Sequence, residues 1–266
     1  MKIAAVQMVS TPDVARNLAA AARLVAEAAD AGARLVALPE YFCLMGQRDD
    51  DKLAIAEADG DGPIQAFLAE TARRHGIWLV GGTLPIRATA PGRVRNACCV
   101  YGPEGARVAR YDKIHLFAFD NGREHYDEGR VLEAGSEPVA FDAGGLRVGL
   151  SICYDLRFPE LYRALMQPPC DVLVVPAAFT HTTGLAHWEL LLRARAVENQ
   201  CHVLASAQGG LHENGRRTFG HSMVVGPWGE VLAVRAEGEG VVAADAALER
   251  RDAVRGQLPA LAHRRF

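Results

Sequence analysis

Short apolar runs alternate along this chain with longer stretches in which apolar residues recur every three or four positions. Residues 3–9 form the first apolar run and read as a strand. Val14, Leu18, Ala21, Val25 and Ala28 then recur at spacings of four and three, which is one face of a helix. Thr11 is placed to cap that helix, with Pro12 at its first position, and Gly32 to end it. A wholly apolar strand over 35–38 leads into Pro39 and Glu40. The same order repeats with a helix over 64–75, a stop at Gly76 and a buried strand over 78–80.

Hairpins interrupt the series from there. Residues 97–101 and 108–113 pair around Gly102-Pro103-Glu104-Gly105, and 139–141 pair with 147–153 around Ala143-Gly144-Gly145. A helix follows Pro159, then a buried strand over 172–175, a helix over 188–199 and a strand over 203–205. Glu189 and Arg193 stand four apart on that last helix, the spacing of an ion pair. Residues 221–245 alternate as antiparallel strands turning at Gly226-Pro227-Trp228-Gly229. Continuous apolar strands need cover on both faces, so the pattern predicts an α/β chain with mixed sheets and helices outside them. No repeat and no linker rich in Pro, Gly or Ser divides the chain, so one domain over 1–266 is expected. The longest stretch without a pattern, 117–138, is a candidate functional loop.

Composition narrows the classes of function. The formal net charge is -3, which gives neither nucleic acid nor an anionic membrane a basic surface to bind. No run approaches the roughly 18 apolar residues of a membrane span. The N-terminal apolar run is too short for a signal segment, so a cytoplasmic protein is expected. The six cysteines are too sparse for a disulfide framework and include no C-x-x-C pair. The nine histidines include no H-E-x-x-H pattern, so no metal and no cofactor is expected. The Gly144-Gly145 pair lacks the rest of a phosphate loop and reads as a turn.

Three polar residues sit where buried strands end. Cys153 follows an apolar run and precedes Tyr154-Asp155-Leu156-Arg157-Phe158-Pro159, at a strand-to-helix junction where free backbone N–H groups gather. A thiol there suits a nucleophile, provided a base or cation helps it ionise. Glu40 ends the strand 34–38, and a carboxylate in such a cleft suits a general base. Lys113 closes the strand 108–112, and its fixed charge suits a developing oxyanion while also lowering the thiol pKa. Each residue alone equally fits a plain structural role: a buried thiol, a loop carboxylate, a solvated strand-end lysine.

Taken together the segments Leu38-Pro39-Glu40, Asp112 to Phe117 and Ile152 to Leu161 resemble the three signature blocks of the nitrilase (carbon–nitrogen hydrolase) superfamily, in that family's order. The resemblance runs over essentially the whole chain. It implies a four-layer α-β-β-α sandwich and a triad of Glu40 as base, Lys113 as oxyanion stabiliser and Cys153 as nucleophile. It implies attack on an amide or nitrile carbon, loss of ammonia or an amine, and hydrolysis of a thioester. A further glutamate in the loop after the lysine is matched best by Glu128, with Glu124 close by. The same resemblance implies pairing into homodimers or larger assemblies, and no cofactor.

The second half, with Thr182-Thr183-Gly184, His187 to Leu191 and Arg193 to Gln200, resembles the Nit branch of that superfamily. That branch implies a small-molecule amide substrate built on a 2-oxo acid. The segments Ala207 to Glu213 and Phe219 to Val225 resemble the branch members that act on deaminated glutathione more than those that act on α-ketoglutaramate. A nitrile, an N-carbamoyl amino acid, or simple binding without turnover are the competing readings. A small anion needs cationic and hydroxyl donors, for which Arg157, Thr182 and Thr183 are candidates beside Tyr41 and Tyr154. Arg157 in an ion pair and threonines that merely cap a helix are the structural alternatives, and Trp188 reads as core.

Overall fold

The computed structural model describes residues 1–122 and 125–265. The first half runs β1 (Lys2–Gln7), α1 (Val14–Asp30), β2 (Leu35–Ala37), α2 (Pro63–His75), β3 (Trp78–Val80), β4 (Leu84–Arg87), β5 (Val94–Tyr101) and β6 (Arg107–Asp112). A small hairpin of β7 (Ala118–Asp120) and β8 (His125–Asp127) follows. The second half runs β9 (Ala140–Asp142), β10 (Arg147–Leu150), α3 (Pro159–Ala164), β11 (Val172–Ala177), α4 (His181–Asn199) and β12 (His202–Ala207). It closes with the hairpin β13 (Gly209–Leu211) and β14 (Arg217–Phe219), then β15 (Ser222–Val225), β16 (Val231–Arg235), β17 (Gly240–Asp245) and α5 (Leu248–Gln257).

Seven strands make one sheet in the order β17-β1-β2-β3-β5-β4, with β6 on the other edge of β5. Six make the second, in the order β16-β15-β12-β11-β10-β9. Strands β1, β2 and β3 run parallel, as do β10, β11 and β12. Alternation along a strand assigns each residue to a face. Ile3 and Ala5 of β1, with Leu35 and Ala37 of β2, turn toward the second sheet, and Ala4, Val6, Val36 and Leu38 turn toward α1 and α2. The second sheet takes α3 and α4 on its outer face, where Trp188 and Leu192 are buried. The result is the four-layer α-β-β-α sandwich, with both sheets covered on both sides.

Several local expectations shift. The cap of α1 is Asp13, not Thr11: Asp13 Oδ1 accepts from Arg16 N at 3.0 Å, and Thr11 Oγ1 accepts from Asp13 N at 3.1 Å. Pro12 therefore lies outside the helix. Helix α4 begins seven residues before the expected 188, at His181, because Thr180 caps it through the Thr183 N–H. Gly184 inside that first turn is the reason propensity misleads: an added Cβ would meet the Phe219 side chain at 2.3 Å, so only glycine lets the helix seat there. The stretch 117–138 is not structureless, since it holds β7, β8 and a 3-10 turn over Glu128–Arg130. Gly144 and Gly145 form the expected turn, both at positive φ.

Candidate active site

Elements of both sheets end at one cavity of about 290 Å³, lined by Glu40, Phe117, Glu128, Cys153, Arg157 and Thr183 among others. Glu40 follows β2, Cys153 follows β10, and Ala178 and Thr180 follow β11, so these parallel strands point their carboxyl ends at it. Lys113 follows β6 and reaches the same point from the far side of the first sheet. Two backbones are left-handed here: Tyr41 at φ 56 and Cys153 at φ 48. A non-glycine residue there costs roughly 1–2 kcal/mol, a strain that the surrounding contacts must outweigh.

Lys113 and Glu40 are both 1% exposed. Lys113 Nζ donates to Glu40 Oε1 at 2.9 Å and to Glu128 Oε1 and Oε2 at 2.9 and 2.8 Å. Burial by itself would strip the ammonium of its proton; Glu128 and Glu40 outweigh that and hold its pKa above the ordinary lysine value. Glu40 has two further partners, Asn96 Nδ2 on Oε1 and the Ala178 N–H on Oε2, both at 2.9 Å. Glu128 also accepts from the Tyr41 hydroxyl and the Phe117 N–H, each at 2.7 Å. Burial opposes its ionisation, yet Lys113 and these donors hold its carboxyl below the ordinary glutamate range.

Cys153 is 8% exposed. Burial first, and then the Glu40 charge, push its thiol well above the ordinary value, while Lys113 pulls the other way and loses. Lys113 thus lowers the thiol pKa as expected, but burial and the Glu40 charge outweigh it. Two carboxylates share the ammonium, and their negative charge reaches the sulfur as well. The resting sulfur is a protonated thiol that needs a base at the moment of attack.

Asp155 holds the two halves of the site in register. It is fully buried and accepts from Tyr111 Oη at 2.7 Å and Ile152 N at 2.8 Å on Oδ2. Its Oδ1 takes His115 N at 3.0 Å and His115 Nδ1 at 2.7 Å. The turn that carries Cys153 is therefore tied to the strand and loop that carry Lys113.

This chain has known relatives. The family model described as Carbon-nitrogen hydrolase matches residues 2–256. The chain belongs to the carbon–nitrogen hydrolase family. Among curated relatives of this carbon–nitrogen hydrolase, the protein named Deaminated glutathione amidase of Synechocystis sp. is 41% identical over 99% of the chain and 97% of its own length. The Omega-amidase NIT2 of Xenopus tropicalis is 38% identical over 99% and 95%. The crystal structure of Saccharomyces cerevisiae Nit3, a member of branch 10 of the nitrilase superfamily, superposes with a TM-score of 0.90 at 31% identity, covering 100% of this chain and 97% of that one. The fold is the nitrilase-type sandwich.

Of the residues singled out by sequence in this carbon–nitrogen hydrolase, Glu40, Lys113, Glu128, Cys153, Tyr154, Arg157 and Thr183 meet at the cavity or against its lining. Glu124 lies outside the described residues. Tyr41 stands behind Glu128 and lines the neighbouring groove instead. Thr182 does not line the cavity; it is exposed on the first turn of α4, where the helix periodicity turns Thr183 inward. Arg157 forms no ion pair among the described residues: its Nη1 lies 3.2 Å from His187 Nδ1, and its guanidinium packs over Phe179 and Tyr154. Sequence reading missed Asn96, Asp155, Thr180 and Arg216. Asn96 carried little signal, since it stands beside Arg95 just ahead of the apolar run of β5. Asp155 carried a signal as an acid beside the nucleophile candidate.

Proposed function

We propose that this carbon–nitrogen hydrolase cleaves the amide of a small 2-oxo acid through a thioester on Cys153, with deaminated glutathione as substrate. The observation that carries the reading is a thiol beside a buried carboxylate–ammonium–carboxylate cluster on one small cavity. In the proposed cycle Glu40 takes the Cys153 proton as the sulfur attacks the amide carbon. Lys113 stabilises the oxyanion through its charge. Protonated Glu40 then delivers the proton to the departing nitrogen, because an unprotonated amine leaves poorly. The leaving amine is cysteinylglycine for deaminated glutathione and ammonia for α-ketoglutaramate. Water, deprotonated by Glu40, hydrolyses the thioester and restores the thiol. Glu128 holds Lys113 and keeps the cluster's charge fixed. Arg157 and Thr183 serve the 2-oxo acid end of the substrate.

The relative named Omega-amidase NIT2 supports α-ketoglutaramate as the alternative substrate. Assays of both compounds with the purified protein decide between them. Turnover of neither, or release of ammonia from simple nitriles instead, overturns the reading. Cys153→Ala is expected to abolish turnover with thermal unfolding unchanged, and Glu40→Gln to slow it by ~10² to 10⁴-fold. Retained activity in Cys153→Ala removes the nucleophile assignment.

Two coarser features belong to the same reading. All six cysteines are free thiols, which supports a reducing, cytoplasmic setting. Among the described residues no helix is long and apolar enough to cross a membrane. Leu190 and Val197 of α4 are exposed on one surface with Trp228, which supports a homodimer or larger assembly through this face. Sedimentation of the purified protein tests it; a monomer at micromolar concentration rejects it.

A further inference from the structure

A second, larger groove of about 790 Å³ adjoins the cavity, and Arg216 lines both. The wall between them is thin. Tyr41 lines the groove while its hydroxyl bonds Glu128 on the cavity side. Tyr126 lines the groove while its ring lies 5.6 Å from that of Phe117 in the cavity. Arg216 comes from the β13–β14 hairpin, whose tip is tied down by Asn214 Nδ2 on the Gly46 carbonyl at 2.6 Å. Its Nη2 donates to the Ala178 carbonyl at 3.0 Å, its guanidinium lies 5.1 Å over the Tyr126 ring, and its buried Nε has no hydrogen-bond partner. Lys52 faces the same groove. Its Nζ lies 5.0 Å over the Tyr41 ring, and it makes no hydrogen bond or ion pair with another described residue. Asp49, exposed at the rim, is the acidic side chain in the lining.

Lys52 feels the charges of Glu128 and Asp49 without pairing with either, and Arg216 carries an orphaned buried donor, so a ligand anion in the groove would give both cations a direct partner. The inner cavity already has Arg157 for an anionic group on the acyl side. A substrate reaching from that cavity into the groove would place its leaving amine beside Lys52 and Arg216. We propose that Lys52 and Arg216 are specificity-determining residues that bind a carboxylate on the leaving amine, so that the enzyme selects N-substituted amides with an anionic leaving group over primary amides. The inference rests on the amidase reading above. Burial pulls the Lys52 ammonium pKa down, and a carboxylate seated beside it would offset that cost.

The test uses deaminated glutathione and its analogue in which the terminal glycine carboxylate is a carboxamide. Wild-type protein is expected to favour the free acid in kcat/KM by about tenfold or more, through KM, as expected for a hydrogen bond to a charged group. In Lys52→Gln and in Arg216→Gln, each checked for unchanged thermal unfolding, the preference is expected to shrink to under about threefold. Equal use of acid and carboxamide by the wild type, or a preference that survives both substitutions, overturns the proposal. Turnover of α-ketoglutaramate is measured alongside. If it persists without any carboxylate preference, only the groove assignment fails; if no 2-oxo amide is hydrolysed at all, the amidase reading fails with it.

Discussion

Glu40 takes hydrogen bonds from three separate elements, and only the one from Asn96 comes from a neutral side chain. Removing it leaves the Glu40 carboxylate anchored by charge but freer to turn. Asn96→Ala is expected to lower kcat by about tenfold or more with KM little changed, the scale of a hydrogen bond to a charged group. A change in KM alone would move Asn96 to substrate binding. Lys113 presents the opposite case. With it gone, Glu40 and Glu128 face each other without a cation, so Lys113→Met is expected to cost about 3–5 kcal/mol of stability in urea unfolding as well as activity. At this scale Glu40, Lys113 and Cys153 were legible as candidates, because each stood where an apolar run ended. Asn96 and Arg216 were not: Asn96 follows Arg95 ahead of an apolar run and reads as a polar strand edge, and the meaning of Arg216 depends on a groove that only tertiary packing creates. Thr182 shows the limit from the other side, since which threonine faces inward depends on where the cap of α4 falls.

The element that sets the thiol in place is the 3-10 turn Cys153–Arg157. Its left-handed first residue is held by Asp155, which binds four donors from the turn itself, from β6 and from the loop after it. Asp155→Ala strands those buried donors, each worth about 1–3 kcal/mol when unmet. A fall in Tm of several degrees is expected, at roughly 2–4 °C per kcal/mol for a chain of this size. Activity should fall further than stability alone explains; full activity in a folded Asp155→Ala protein would mean the turn positions itself. Gly184→Ala tests the seating of α4 on Phe219. The overpacking is expected to cost about 1–3 kcal/mol. The strands were largely legible from period and apolar runs, down to the parallel cores 35–37 and 172–175. The boundaries of α1 and α4 were not, because a cap is decided by which side chain reaches a free N–H in space. The small hairpin of β7 and β8 escaped because its short strands are exposed or half-buried and mix polar with apolar residues, so they form no apolar run.

Two buried histidines bear on the molecule as a whole. His212 bridges Ser10 and Thr218, its Nδ1 2.8 Å from the Ser10 carbonyl and its Nε2 2.8 Å from Thr218 Oγ1, and His202 is buried at the start of β12. Burial holds both below the ordinary histidine value of 6.5. The folded chain keeps them neutral, whereas the unfolded chain protonates them below that value. Stability is therefore expected to be full above pH 6.5 and to fall as the pH drops below it, by at most about 1.4 kcal/mol per pH unit for each ring. Urea unfolding at pH 7 and 5 measures the slope, and His212→Gln should flatten it; an unchanged slope in that variant assigns the effect elsewhere. At the same scale, the groups proposed to carry the chemistry straddle the seam between the sheets. Glu40, Asn96 and Lys113 belong to one slab, Cys153 and Ala178 to the other. Chemistry at this seam works like a vernier: a slip of the two slabs by a fraction of a residue misaligns it while every strand stays paired. In rising urea, turnover should vanish at concentrations where tryptophan emission still reports a folded chain.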